Sequence, residues 1–188
     1  MSGHIPPMAI LKIARMGHPV LRRVADPVPD PTAPAVRALV ADMVDTLEDI
    51  GGAGLAAPQV HVPLRVVIFR VRAERLTGDS EDVAAPMQAL VNPVIEPLGE
   101  EKMLRWEGCL SVPGLRGAVP RWRRIRYVGT DLDGRTVERV VSGYHAGLVQ
   151  HEFDHLDGIL YPARMTDFSL FGFNEEMAKY PPEPEARR

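Results

Sequence analysis

Residues 150–155 read QHEFDH, and no other stretch of the chain constrains the fold as tightly. His151 and His155 are four positions apart, so on a helix they share one face and can hold one metal ion. Glu152 then sits beside whatever that metal activates. In the HExxH pattern two imidazoles bind a metal and the glutamate serves as general base. A hydrolytic metal takes three protein ligands and keeps one position open for water. A metal site therefore needs this segment as a helix, its histidines turned inward and a third ligand from elsewhere; the plain alternative is a pair of hydrogen-bonded core histidines.

The flanking residues predict such a helix. Ser142 suits the N-cap, the helix runs from Gly143 to about Asp157, and Gly158 suits the C′ position. Leu148, His151 and His155 fall on one inward stripe. Upstream, Val36, Leu39, Val40, Met43, Val44, Leu47 and Ile50 recur at helical spacing, and Gly51-Gly52 ends the run. Leu64 to Val71 reads as a strand from its β-branched content. Residues 73–86 read as an exposed polar loop. Ala89 to Ile95 reads as a short strand, at an edge or carrying a bulge because of Pro93. Asp133-Gly134 between Arg123–Thr130 and Arg135–Val141 is a hairpin signal. Helices and antiparallel strands without regular alternation predict an α+β fold. The Pro- and Glu-rich end, 169–188, reads as a frayed tail after one domain over 1–168.

Composition narrows the function. The 188 residues are 45% hydrophobic and 25% charged, with a formal charge of −3. No global positive field argues for DNA, and no apolar run approaches the ~20 residues that span a bilayer. The N-terminal residues lack a charged region followed by a long apolar one, so no signal peptide is expected. One cysteine, Cys109, excludes an internal disulfide and fits a reducing, cytoplasmic setting.

The third ligand is not an obvious downstream residue. The pattern HExxHxxGxxH matches as far as Gly158, but Tyr161 stands where the last histidine would be. Asp157 is too close along the helix, and Asp167, Glu175 and Glu176 lie in the tail. Cys109, in the stretch WEGCLSVPG, is the better candidate, since thiolate and imidazole suit the same metals. Its bland alternative is a small buried hydrophobe. Residues 52–59 read GAGLAAPQ, either a plain helix-to-strand connection or a close backbone approach to a ligand. Gln59 within it could aim an amide N–H at a developing oxyanion.

Taken together, GAGLAAPQ (Gly52–Gln59), EGCLS (Glu107–Ser111) and QHEFDH (Gln150–His155) resemble the peptide deformylases, which carry GxGLAAxQ, EGCLS and QHExDH in this order. The likeness extends over roughly residues 9 to 165, through HPVLRRVADPV and VNPVI, and is closest to the bacterial branch that also resembles organellar enzymes. The resemblance implies antiparallel strands around a central metal-binding HExxH helix. It implies removal of the formyl group from the N-terminal formylmethionine of nascent polypeptides. It implies Cys109, His151 and His155 as metal ligands, and Glu152 as general base and then acid. It implies Gln59 and the Leu110 N–H as oxyanion donors, and Gly54 and Gly108 as substrate-binding backbone. The metal would be Fe2+, replaceable by Zn2+, Ni2+ or Co2+. The expected protein is a cytoplasmic monomer with at most transient ribosome contact, binding neither DNA nor membrane.

Two positions depart from the family pattern. Ala53 stands where a β-branched residue is common, and Gly147 is small one turn before the first histidine, so the methionine pocket should be reshaped. Arg121, Arg123, Arg124 and Arg126 read as a solvated strand edge, with weak RNA contact the alternative. The competing functions are an HExxH metallopeptidase, which would need a downstream ligand, and a non-catalytic metal-binding relative, which should have lost Glu152, Gln59 or Cys109.

Overall fold

Pro34 opens helix α1 (Pro34–Ile50), where its missing N–H is not needed. Gly51, at φ +77, closes it by donating to the Leu47 and Glu48 carbonyls. These coordinates are a computed structural model that describes residues 9–182; the first eight positions of the signal-peptide reading and the last six of the tail lie outside them. Val36, Val40, Met43 and Leu47 form the buried stripe of α1, while Ile50 is exposed at its end.

Strands β1 (Gly54–Ala56), β2 (Val66–Val71), β3 (Ala85–Pro97), β6 (Arg124–Thr130) and β7 (Thr136–Ser142) form an antiparallel five-stranded sheet in the order β1-β2-β3-β6-β7. Strands β4 (Lys102–Cys109), β5 (Val112–Trp122) and β8 (Phe171–Phe173) form a second sheet in the order β4-β5-β8. Helix α2 (Gly143–Leu156) packs on one face of the larger sheet, and a short helix α3 (Asn174–Lys179) ends the described chain. The fold is α+β, as expected.

Strand β2 explains the layering. Its side chains alternate between faces. Val67, Phe69 and Val71 join Ala146, Val149, Phe153 and Leu156 of α2 in one core. Val66 and Ile68 join Val40, Met43 and Leu47 of α1 in another. A strand buried on both sides needs a continuous apolar run, and VVIFRV is one.

Three elements differ from the sequence reading. Strand β3 is longer than expected and lies inside the sheet. Its register shifts between Val91 and Val94, where Asn92 takes φ +50 and Pro93 needs no ladder hydrogen bond. The bulge reading of Pro93 therefore holds and the edge reading does not. The Asn92 amide fills the gap by bonding both the N–H and the C=O of Val28 at 2.8 Å. The polar loop after β2 is not wholly exposed, because Asp82 is buried. Beyond residue 168, where composition suggests fraying, Leu115, Arg116 and Gly117 of β5 pair with Phe173, Gly172 and Phe171 of β8. That pairing depends on an edge offered by distant strands, which composition does not register.

Candidate metal centre

Helix α2 is buried at every position but Tyr144, although Gln150, His151, Glu152, Asp154 and His155 are polar. Buried polar groups need partners, and those partners define the site. The N-terminus of α2 is held from outside. Ser142 precedes the helix, but its Oγ is buried without a hydrogen bond, so the expected cap is not made there. Asp82 takes that role across the chain. Its carboxylate accepts from the N–H groups of Tyr144 and His145 at 2.9 and 3.0 Å and from Thr77 N and Oγ1 at 2.6 and 2.7 Å. Burial would raise the Asp82 pKa, but these four bonds together outweigh it and hold it below the ordinary value. Gly143, at φ +57, leaves the room for this contact, since a side chain there would overlap Asp82 and Thr77.

In the C-terminal half of α2 the three expected ligands meet. One ligand atom from each of Cys109, His151 and His155 lies within 4.8 Å of the others, and Cys109 Sγ is 3.4 Å from His155 Nε2. Cys109 is the last residue of β4, at a register shift in the β4–β5 hairpin. His151 Nδ1 lies 2.7 Å from Glu107 Oε2, so Nδ1–H donates to the carboxylate and leaves Nε2 for a metal. A thiolate and two imidazoles suit a divalent metal of borderline softness. The donor set fits.

Behind these ligands lies an ion-pair chain that sequence reasoning missed, buried at Glu107, Arg121 and Asp154 and reaching the surface at Arg164. Arg121 donates to both oxygens of Glu107, at 2.8 and 2.9 Å, and to Asp154 at 2.5 Å. Arg164 donates to both oxygens of Asp154. Burial pushes Glu107 up, yet Arg121 and His151 outweigh it and hold its pKa at about 2. Arg121 is thus buried, against the solvated-edge reading. Arg123, Arg124 and Arg126 are indeed on the surface, but each is paired with acidic neighbours. A signal was available: Glu107 stands two residues before Cys109, hence on the same face of a strand.

The catalytic candidates surround the same spot. A carbon built on Gly54 would overlap the Glu152 carboxyl, so the glutamate packs directly against bare backbone. Burial raises the Glu152 pKa to about 7, and its Oε2 has no hydrogen-bond partner. Gln59 Oε1 accepts from Ala56 N at 2.9 Å, which turns Nε2 toward Cys109 Sγ (3.5 Å) and Ser111 Oγ (3.2 Å). Gly54, Gln59, Gly108, Leu110 and Glu152 line one cavity of about 500 Å³ beside Cys109 and His151. Gln150, the first letter of the motif, is structural: its amide bonds both the N–H and the C=O of Trp122. The downstream carboxylates stay away. Asp157 pairs with Arg65, and Asp167 caps Ser169. Tyr161 stacks on His151 with ring centroids 6.1 Å apart, so an aromatic wall stands where a metallopeptidase would place its histidine.

Comparison with known proteins points to one family. Residues 10–170 match the family model described as polypeptide deformylase. Peptide deformylase 2 of Ralstonia nicotianae is 51% identical over 166 residues, covering 88% of this chain and 93% of that protein. Peptide deformylase 1 of Bordetella pertussis is 52% identical over 163 residues, covering 87% and 92%. Among solved structures, a class I type b peptide deformylase from Acinetobacter baumannii with Met-Ala-Ser bound has TM-score 0.77 and 35% identity, covering 85% of this chain and 100% of that one. The peptide deformylase of Ehrlichia chaffeensis in complex with actinonin has TM-score 0.79 and 31% identity, covering 86% and 92%. With three ordered motifs, one converged donor set and this likeness along most of its length, the chain belongs to the polypeptide deformylase family and is a metal-dependent hydrolase that removes the N-formyl group from nascent peptides.

Proposed function

We propose that Cys109, His151 and His155 hold a single Fe2+ ion, replaceable by Zn2+, Ni2+ or Co2+, and that Glu152 carries the proton traffic of deformylation. The convergence of the three donors beside the Glu152 carboxyl supports this reading. When bound, such a metal supplies Lewis acidity and makes a water acidic enough to react near neutrality. Glu152 takes a proton from the attacking water as the new bond to the formyl carbon forms. The Gln59 amide and the Leu110 N–H donate to the oxygen on which charge develops. Glu152 then returns the proton to the departing nitrogen, the C–N bond breaks, and formate and a free amino terminus leave. Gly54 and Gly108 offer backbone to an extended peptide. Neither carries a side chain that would block its approach.

The substrate is the formylmethionine end of a nascent chain, met by a cytoplasmic monomer. Contact with the ribosome is transient in this reading, since Arg123, Arg124 and Arg126 are already paired and offer no open basic patch. The net charge of −3 supports no binding to DNA. Among the described residues, no helix is long and apolar enough to cross a membrane. The test is formate release from formyl-Met-Ala-Ser by anaerobically purified protein, wild type beside Glu152→Ala, with metal content measured on both. Wild type should release formate while the variant keeps its metal and is silent. Full activity in the variant removes Glu152 from its role.

A further inference from the structure

Gly147 stands one turn before His151, and a side-chain carbon placed on it would overlap the Arg105 guanidinium. The space that a residue of α2 would normally fill is occupied from β4. Strand alternation turns Arg105 inward with Glu107, while Leu104 and Trp106 are exposed on the other face. Arg105 Nη1 donates to the Tyr144 carbonyl at 3.0 Å, and its guanidinium lies 4.9 Å from the Tyr144 ring centre. Nε is 3.5 Å from Glu107. That carboxylate is shared with Arg121 and His151 and also faces the Arg105 charge. Among the described residues Nη2 makes no hydrogen bond, and it is not sealed from solvent on a side chain that is 16% exposed, so water is its present partner. Such a donor gains from an acceptor supplied by a ligand.

Arg105 lines the same cavity as Gln59, Cys109 and Glu152, and Ala53, Tyr144 and Leu148 belong to the same wall. We propose that Arg105 is a specificity-determining residue: its Nη2 edge faces the space for the first side chain of the substrate and selects a side chain that ends in a hydrogen-bond acceptor. The inference rests on the site reading above, which puts the formyl group at the Gln59, Cys109 and Glu152 end. A methionine thioether is a weak acceptor, a methionine sulfoxide a strong one, and norleucine has none at the same length. A hydrocarbon pocket would reject the sulfoxide because its oxygen would lose water without replacement. This pocket should turn it over.

The test measures formate release from formyl-X-Ala-Ser peptides with X methionine, methionine sulfoxide or norleucine, on wild type, Arg105→Leu and Gly147→Ala. Two substrates compared on one preparation give a ratio that does not depend on the fraction folded. The kcat/KM ratio of sulfoxide to norleucine should fall about tenfold or more in Arg105→Leu, the loss of one charged hydrogen bond. Gly147→Ala, which displaces the guanidinium while keeping it, should shift the ratio in the same direction. A ratio that stays within about threefold in Arg105→Leu overturns the proposal. So does a shift in Arg105→Leu with none in Gly147→Ala, because the argument needs the space above Gly147. Wild type that releases formate from no peptide would instead sink the site reading.

Discussion

Glu107 holds the imidazole of His151 by its Nδ1–H at 2.7 Å while Arg121 clamps both oxygens of the same carboxylate. The nitrogen of His151 left free for a metal is therefore chosen by Glu107, which is not itself one of the three candidate ligands. Glu107→Gln keeps the shape but removes the charge that draws the Nδ1 proton. Metal affinity should fall about tenfold or more, as for outer partners of metal-bound histidines. Competition against a chelator of known affinity measures it, and an unchanged affinity would show that Glu107 does not orient the ligand.

Gly54 is bare backbone against the Glu152 carboxyl. Gly54→Ala must push that carboxyl aside. Misplacing a catalytic group by about 1 Å can cost about 10²-fold in rate, so kcat should drop by that order while the metal stays. Rate and metal content measured on one sample decide it. Loss of metal together with rate would mean that the helix, not the carboxyl alone, had moved.

Gln59 has its carbonyl oxygen tied to Ala56 N, which aims its amide nitrogen into the site. Gln59→Ala should cost about 10²-fold in kcat, the usual loss for one oxyanion donor. A loss confined to KM would assign Gln59 to substrate binding instead.

Asp82 caps α2 from a distant loop. Asp82→Ala should destabilise the fold by about 1–2 kcal/mol at neutral pH, the range for lost caps. The native pKa lies below its ordinary 3.8. The native state thus binds the proton less well than the unfolded chain, and stability from Asp82 rises with pH across this interval. It is complete above 3.8 and is lost as pH falls below that through the depressed native value. The stability gap between wild type and variant, from denaturant unfolding, should narrow below pH 3.8. An equal gap on both sides would remove the charge from the explanation.

Much of the fold and most of the site were legible in the residues themselves. The helix around HEFDH, its glycine stop at Gly158, the Asp133-Gly134 hairpin, the β2 run and the shared face of His151 and His155 follow from short-range rules, while Cys109 as their partner was implied by the resemblance of three ordered motifs. A helix or strand fixes which neighbours share a face, and a glycine marks where φ turns positive. Only the tertiary structure decided that Asp82 would cap α2, that Arg121 would be buried between Glu107 and Asp154, that β8 would extend the smaller sheet, and that Arg105 would fill the space above Gly147. Each of these joins residues far apart in the chain. Strand register and helix docking set such meetings, and local periodicity carries no information about either.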